Sequence, residues 1–301
     1  MLNCTKQFYV KSYTFLKYEL KGKTMRITHE QKESFKKYLI ESEHSRSTVS
    51  KYMHDISCFE FFAGESNITK QLVLEYKNSL NVKYEISSAN SMLAALNAFF
   101  RFLGWNDCIV RQFHIQKKAY CDESKELTRK EYERLLKTAS KKGNTRLYLL
   151  LQTICGTGIR VSELSYFTVE AVRKGRIDIM CKGKARTIFI VVKLKEKLLH
   201  YAKQCNIKSG RIFITKSGKS MNRSNIWREM KKLCEEAGVL AKKVFPHNLR
   251  HLFARAFYEI EKDISKLADL LGHSSIETTR IYIISSGEEH RRKMENMRLI
   301  I

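Results

Sequence analysis

The stretch Gly156-Thr157-Gly158-Ile159-Arg160-Val161-Ser162-Glu163-Leu164 decides how this chain is read. It follows directly on Leu147–Cys155, an apolar run interrupted by Gln152. A run of that kind predicts a buried helix, and glycines straight after it predict a break. Arg160 then falls where the chain is still largely apolar. A guanidinium held there with little water is costly unless an anion or a carboxylate meets it. Glu163 is the ordinary partner; a bound anion is the other. The apolar run is far shorter than the ~18 residues that suggest a membrane-spanning helix, so it belongs to a core.

Beyond that break, Arg176–Met180 (with Ile177 and Ile179) and Thr187–Val192 (with Ile188, Ile190 and Val192) alternate at period two. Joined by Cys181-Lys182-Gly183-Lys184, they predict a β-hairpin or meander with lysines near its turn. Turn lysines are usually solvated, but a long flexible stem on a projecting turn can deliver an ammonium to a leaving group. Pro246, the chain's one proline, suits a helix start, so His247 and Arg250 share a face near a positive helix end. In Leu270-Leu271-Gly272-His273-Ser274-Ser275, Gly272 closes one helix and a serine opens the next, leaving His273 on the turn. Tyr282 sits on that next helix. By default it is a packing residue, and its hydroxyl becomes notable only if cations surround it.

Toward the N-terminus the pattern is helical from Ile27. Thr28 with Gln31 forms a capping box ahead of Phe35, Tyr38 and Leu39, and further helices are expected at about 47–63, 69–80 and 88–103. Met92, Leu93, Leu96, Phe99, Phe100 and Leu103 recur at helical steps, greasy enough for the centre of a four-helix domain. Gly104 ends that helix. A second capping box, Thr128 with Glu131, opens a new domain. The expected organisation is an extension over 1–26, a helical domain over 27–106, a linker over 107–125 and a second domain over 126–301. The expected fold class is mainly α with a small β-hairpin: a helical N-terminal domain followed by an α+β domain.

Lys and Arg number 56 against 31 Asp and Glu, a net charge of +25. Such a surplus self-repels unless a polyanion neutralises it, which makes nucleic acid the leading partner. Both sides of Lys118 are positive, as a two-lobed clamp around a backbone requires. Charges at Lys6, Lys11, Lys17 and Glu19 break any leader-like stretch, so the expected location is cytoplasmic, nucleoid-associated and off the membrane. Eight dispersed cysteines without a C-x-x-C pair read as small apolar fillers in a reducing compartment. His247-x3-His251 has half-site spacing for zinc but lacks a partner pair, so neither metal nor other cofactor is expected.

The ordered set Arg160, Lys182, His247-x-x-Arg250, Leu271-Gly272-His273 and Tyr282 resembles the tyrosine recombinase, or phage integrase, family, with Thr157–Leu164 as its first arginine box. The likeness covers roughly 127–301. Residues 27–105 are similar to the family's SAM-like core-binding domain in length and helical pattern only. The resemblance implies Tyr282 as nucleophile, Arg160, His247, Arg250 and His273 as an activating cluster, and Lys182 as general acid, with Lys184 as its alternative. It further implies a 3′-phosphotyrosyl intermediate on double-stranded DNA, formed without metal or ATP, and a homo-tetramer on paired DNA sites. Two guanidiniums suit the nonbridging oxygens of a crowded phosphorane-like state, and a neighbouring base would help a phenol ionise.

With 26 residues ahead of the helical domain, a compact Xer-like organisation is expected. Arg255 stands where the family usually has a small or hydroxyl residue, and either contacts phosphate or pairs with Glu259. In the tail, Met294, Met297 and Ile301 form a narrow apolar stripe that packs on its own domain or docks onto a neighbouring subunit. Type IB topoisomerases share the chemistry and are the close alternative. A catalytically inactive DNA-binding relative is the runner-up, and a metal-dependent nuclease is disfavoured because the carboxylates do not cluster.

Overall fold

The computed structural model describes residues 25–115, 123–181, 184–215, 217–283 and 287–297. The chain divides into two compact units, 1–117 and 118–301. The first contains α1 (His29–Glu41), α2 (Arg46–Ala63), α3 (Lys70–Lys83) and α4 (Ile86–Phe102). Thr28 and Gln31 form the expected reciprocal cap of α1. Phe35, Ile56, Phe59, Leu93, Leu96, Phe99 and Phe100 are fully buried at its centre. Past α4 the chain is stitched back onto that helix: Asn97 bonds both ways to the Val110 backbone (2.8 and 3.0 Å), and Asn90 likewise to Phe113 (2.8 and 2.7 Å). These amides satisfy backbone groups that an irregular segment would otherwise bury unpaired.

The second unit runs α5 (Arg129–Lys141), α6 (Thr145–Thr157), a 3-10 turn over Val161–Tyr166, α7 (Val169–Lys174), β1 (Arg176–Cys181), β2 (Lys184–Phe189), α8 (Val192–Gln204), α9 (Arg223–Ala237), α10 (Pro246–Glu261), α11 (Ile264–Leu271), α12 (Ile276–Ile283) and α13 (Gly287–Asn296). The mainly helical class with one small antiparallel hairpin is as the sequence predicts. Thr128 and Glu131 form the second capping box. The core is built on α6, where Leu147, Leu149, Leu150, Leu151 and Ile154 are buried. Thr153 and Thr157 satisfy their hydroxyls on the carbonyls four residues back, at 2.7 and 2.5 Å.

The second strand differs from the sequence expectation. It spans Lys184–Phe189 rather than Thr187–Val192, paired so that Ile177 faces Ile188 and Ile179 faces Arg186. Ile188 and Ile190 are buried as their parity requires, but Val192 is 70% exposed and opens α8. Alternation continued past the strand's end because Val191 and Val192 are β-branched. Their sequence fits a strand while their backbone starts a helix.

Candidate active site

Two glycines set the local geometry. Gly158 caps α6 in the left-handed region (φ +64°), and a Cβ there would lie 2.3 Å from the Phe253 ring. Gly272 caps α11 (φ +63°), and a Cβ there would lie 2.5 Å from Arg186 Cδ. Both turns can therefore bring their carbonyls close to neighbouring side chains only as glycine.

Those carbonyls hold the arginines. Arg250, 1% exposed on α10, donates from Nη1 to Gly158 O (2.5 Å) and from Nη2 to Leu271 O (2.6 Å) and His273 Nε2 (2.9 Å). Burial and the charge of Arg160 push its pKa down to about 10, and the neighbouring Tyr282 phenol offsets part of that fall. Arg160 follows Gly158 by two residues. It donates to Glu163 Oε1 (3.3 Å) and Gly272 O (3.2 Å), and keeps 42% of its side chain exposed. Three successive carbonyls at the end of α11, those of Leu270, Leu271 and Gly272, thus accept from Arg186, Arg250 and Arg160 respectively. The partial negative charge of a helix C-terminus suits that load.

Three imidazoles surround Tyr282, which is 2% exposed. His247 Nε2 is 3.5 Å from its hydroxyl, the His273 ring stacks on it at 5.5 Å, and the His251 ring packs at 4.2 Å. Burial first, then neighbouring positive charge, lowers the pKa of His247 below its ordinary value and that of His273 to about 4. Burial, then His247 and the arginines, takes His251 to about 3. All three are neutral at physiological pH. His251 Nδ1 lies 3.7 Å from Glu126, and the same carboxylate takes Arg255 at 3.3 Å while Arg255 also donates to Leu127 O (2.7 Å). Arg255 therefore pairs with Glu126 and not with Glu259.

Arg160, His247 and Arg250 line one cleft of about 680 Å³, which Arg223 and Trp227 complete. Arg160 and His273 also face an adjoining groove with Arg186. Of the six residues singled out from the sequence, five stand together around this position. Lys182 lies outside the described residues, and of Lys184 only the backbone, at the start of β2, is described. Among the described residues no group of three His, Cys, Asp or Glu could hold a metal ion, and no helix is long and apolar enough to cross a membrane.

Sequence reasoning missed Arg223 and Arg186, and weighed His251 only as half of a zinc site with His247. Arg186 carried a usable signal: it shares the parity of Ile188 and Ile190, so a cation sits on the buried face of its strand and needs partners there.

The phage integrase family matches residues 125–289, and the phage integrase N-terminal SAM-like domain matches 33–107. Tyrosine recombinase XerA of Pyrococcus furiosus is 32% identical over 292 residues, covering 93% of this chain and 98% of XerA. A crystal structure of XerA recombinase matches at 25% identity and TM-score 0.51, covering 91% of this chain and 100% of the other. A lambda integrase dimer bound to a COC′ core site has the same fold at TM-score 0.70 and 18% identity, covering 89% of this chain and 80% of the integrase chain. A family match across more than half the chain, joined to full-length similarity with XerA, makes this chain a member of the phage integrase family, a tyrosine recombinase.

Proposed function

We propose that Tyr282 is the nucleophile with which this recombinase cleaves and rejoins DNA, and that Arg160, Arg250, His247 and His273 form the phosphate site around it. Tyrosine-type, site-specific cleavage and rejoining of DNA comes with membership of the family. The observation that carries the assignment of roles is the buried Tyr282 hydroxyl, 3.5 Å from the neutral imidazole of His247, with the ring of His273, itself bonded to Arg250, stacked on the phenol.

The chemistry follows from those groups. The phenolic oxygen forms a bond to phosphorus as the bond from phosphorus to the 5′ oxygen breaks. His247, neutral and within reach, accepts the phenol proton. Arg160 and Arg250 meet the charge that develops on the nonbridging oxygens, where their planar forks match two oxygens at once. Lys182 is the proposed donor of a proton to the departing 5′ oxygen, with Lys184 the alternative. The 3′-phosphotyrosyl bond keeps the energy of the one broken, so a second 5′ hydroxyl reverses the step without ATP.

Exchanging two duplexes breaks four strands, and each chain carries one Tyr282, so a tetramer on paired DNA sites is the proposed working assembly. The excess positive charge supplies the general affinity for the backbone.

The test is a covalent adduct. Incubated with a nicked duplex selected by the protein from a random-sequence pool, the chain should form an SDS-resistant complex carrying a DNA strand by its 3′ end. Tyr282→Phe should bind the same duplex and give none. Absence of the adduct from the unaltered chain would leave an inactive DNA-binding relative.

A further inference from the structure

The roles proposed above do not use the guanidinium of Arg186. Arg186 sits on β2, with its side chain 11% exposed, and its Nη2 is in close contact with Glu163 Oε2. Its Nη1 donates to Leu270 O at 2.9 Å, and its stem lies against Gly272. Glu163 is 5% exposed, and its other oxygen takes Arg160 at 3.3 Å. One buried carboxylate is therefore shared by two arginines. The more exposed of them, Arg160, lines the cleft beside Arg250, whereas Arg186 is absent from the cleft's lining.

Electrostatics gives this sharing a consequence. A buried carboxylate demands roughly one compensating charge, because its solvation by water has been lost. Were Arg160 its only partner, the field of that guanidinium would be cancelled locally and little would remain for a phosphate. Arg186 supplies the compensation from the protein side. The triad keeps a net positive charge, and Arg160 is left oriented toward the cleft by a backbone carbonyl and one carboxylate oxygen. The contact also fixes Arg160 in space, since Arg186 and Arg160 hold Leu270 O and Gly272 O, two residues apart on the same helix end.

We propose that Arg186 is a positioning residue that acts through Glu163: it neutralises that carboxylate so that the charge of Arg160 is available to the scissile phosphate. The inference rests on the proposed role of Arg160, and its test separates the two.

Cleavage rates would be measured on the selected nicked duplex and on the same duplex with a methylphosphonate at the scissile position, which removes one charged nonbridging oxygen. Arg186→Met should bind the duplex with unchanged affinity and cleave the phosphodiester about 10- to 100-fold more slowly, the range expected for weakening one charge-stabilising group. On the methylphosphonate the gap between variant and unaltered chain should shrink severalfold, because less charge needs stabilising. Adding Glu163→Gln to Arg186→Met should recover part of the lost rate, since the amide still accepts from the Arg160 N–H but no longer draws its charge. A residue that merely props the fold gives neither rescue.

Arg186→Lys keeps the cation and the stem against Gly272, so it should fold even if Arg186→Met does not; its deficit should be smaller and shrink on the methylphosphonate in the same way. Equal losses on both substrates, no loss at all, or a double variant worse than the single would each overturn the proposal. An unaltered chain that gives no adduct would instead overturn the reading of Tyr282 and Arg160.

Discussion

Nη2 of Arg250 lies 2.9 Å from Nε2 of His273, and a guanidinium has only protons to offer. His273 Nε2 must therefore accept, which places the imidazole proton on Nδ1. That nitrogen is 2.8 Å from Thr279 Oγ1, and Thr279 is fully buried. The tautomer of His273 is thus set from both sides, by an arginine on α10 and a threonine on α12, the helix that bears Tyr282. In this state Nε2 has no proton for an incoming phosphate oxygen, and Nδ1 points away from the arginine. Arg250 must turn away and Nε2 must take up a proton before His273 can donate toward DNA.

Thr279→Val follows as a first test of that arrangement. Valine matches the shape but strands the Nδ1 proton. Leaving a buried donor unpaired costs about 1–3 kcal/mol, which a urea denaturation series would read. Cleavage should also slow, while Thr279→Ser, which keeps the oxygen, should retain most of both properties.

Acid sensitivity is the second expectation. His273 titrates at about 4 and His251 at about 3 in the folded chain, against an ordinary value near 6.5. Between those limits the unfolded chain binds more protons than the folded one, so stability rises with pH across the window. Stability is whole above about pH 6.5 and falls as the pH drops toward 4, each histidine contributing at most about 1.4 kcal/mol per pH unit. Thermal melts from pH 7 down to 4.5 should show a steady fall in Tm. His251→Gln should flatten the slope, and an unchanged slope would assign the acid sensitivity to other groups.

Replacing a glycine separates backbone strain from crowding. Gly158 and Gly175 both have positive φ, +64° and +74°, yet a Cβ at Gly175 meets nothing within 4 Å. Gly175→Ala should cost only the left-handed penalty of about 1–2 kcal/mol. Gly158→Ala should cost distinctly more, because the methyl enters the Phe253 ring, and it should also slow cleavage by shifting the carbonyl that holds Arg250. Chemical denaturation of the two variants side by side checks the difference.

Much of this molecule was legible in its sequence because local chemistry and tertiary fold agree there. The hydroxyl and amide of Thr28 and Gln31, and the hydroxyl and carboxylate of Thr128 and Glu131, can be read as helix starts three residues at a time, and both caps form. Gly272 and Pro246 mark helix ends where they are expected. What stayed hidden depends on distance along the chain. Glu126 meets His251 and Arg255 across more than a hundred residues, so the local pairing of Arg255 with Glu259 looked natural and does not form. The carbonyls of Leu270, Leu271 and Gly272 carry no side-chain signal at all, although they hold three arginines. Strand β2 was misplaced for the opposite reason: a local preference of Val191 and Val192 lost to the helix that follows.

The segment after Tyr282 carries the last prediction. Helix α13 begins at Gly287, and Met294 and Met297 stand 60% and 63% exposed, three residues apart, among charged neighbours; Ile301, the third member of the expected stripe, lies outside the described residues. Two exposed methionines, one on the last turn of α13 and one just past its end, adapt readily to a partner groove, because the side chain is long and unbranched. Neither belongs to the cleft that holds Arg160, His247 and Arg250, so removing residues 288–301 should leave affinity for a single DNA site intact. If the stripe docks onto a neighbouring subunit, the truncated chain loses cooperativity on paired sites, read as a shallower titration in gel-shift experiments and fewer higher-order complexes in sedimentation. Cooperativity equal to that of the full chain would place the contact between subunits elsewhere. The double change Met294→Ser and Met297→Ser should reproduce the loss with the helix still present, which ties the effect to the apolar face rather than to chain length.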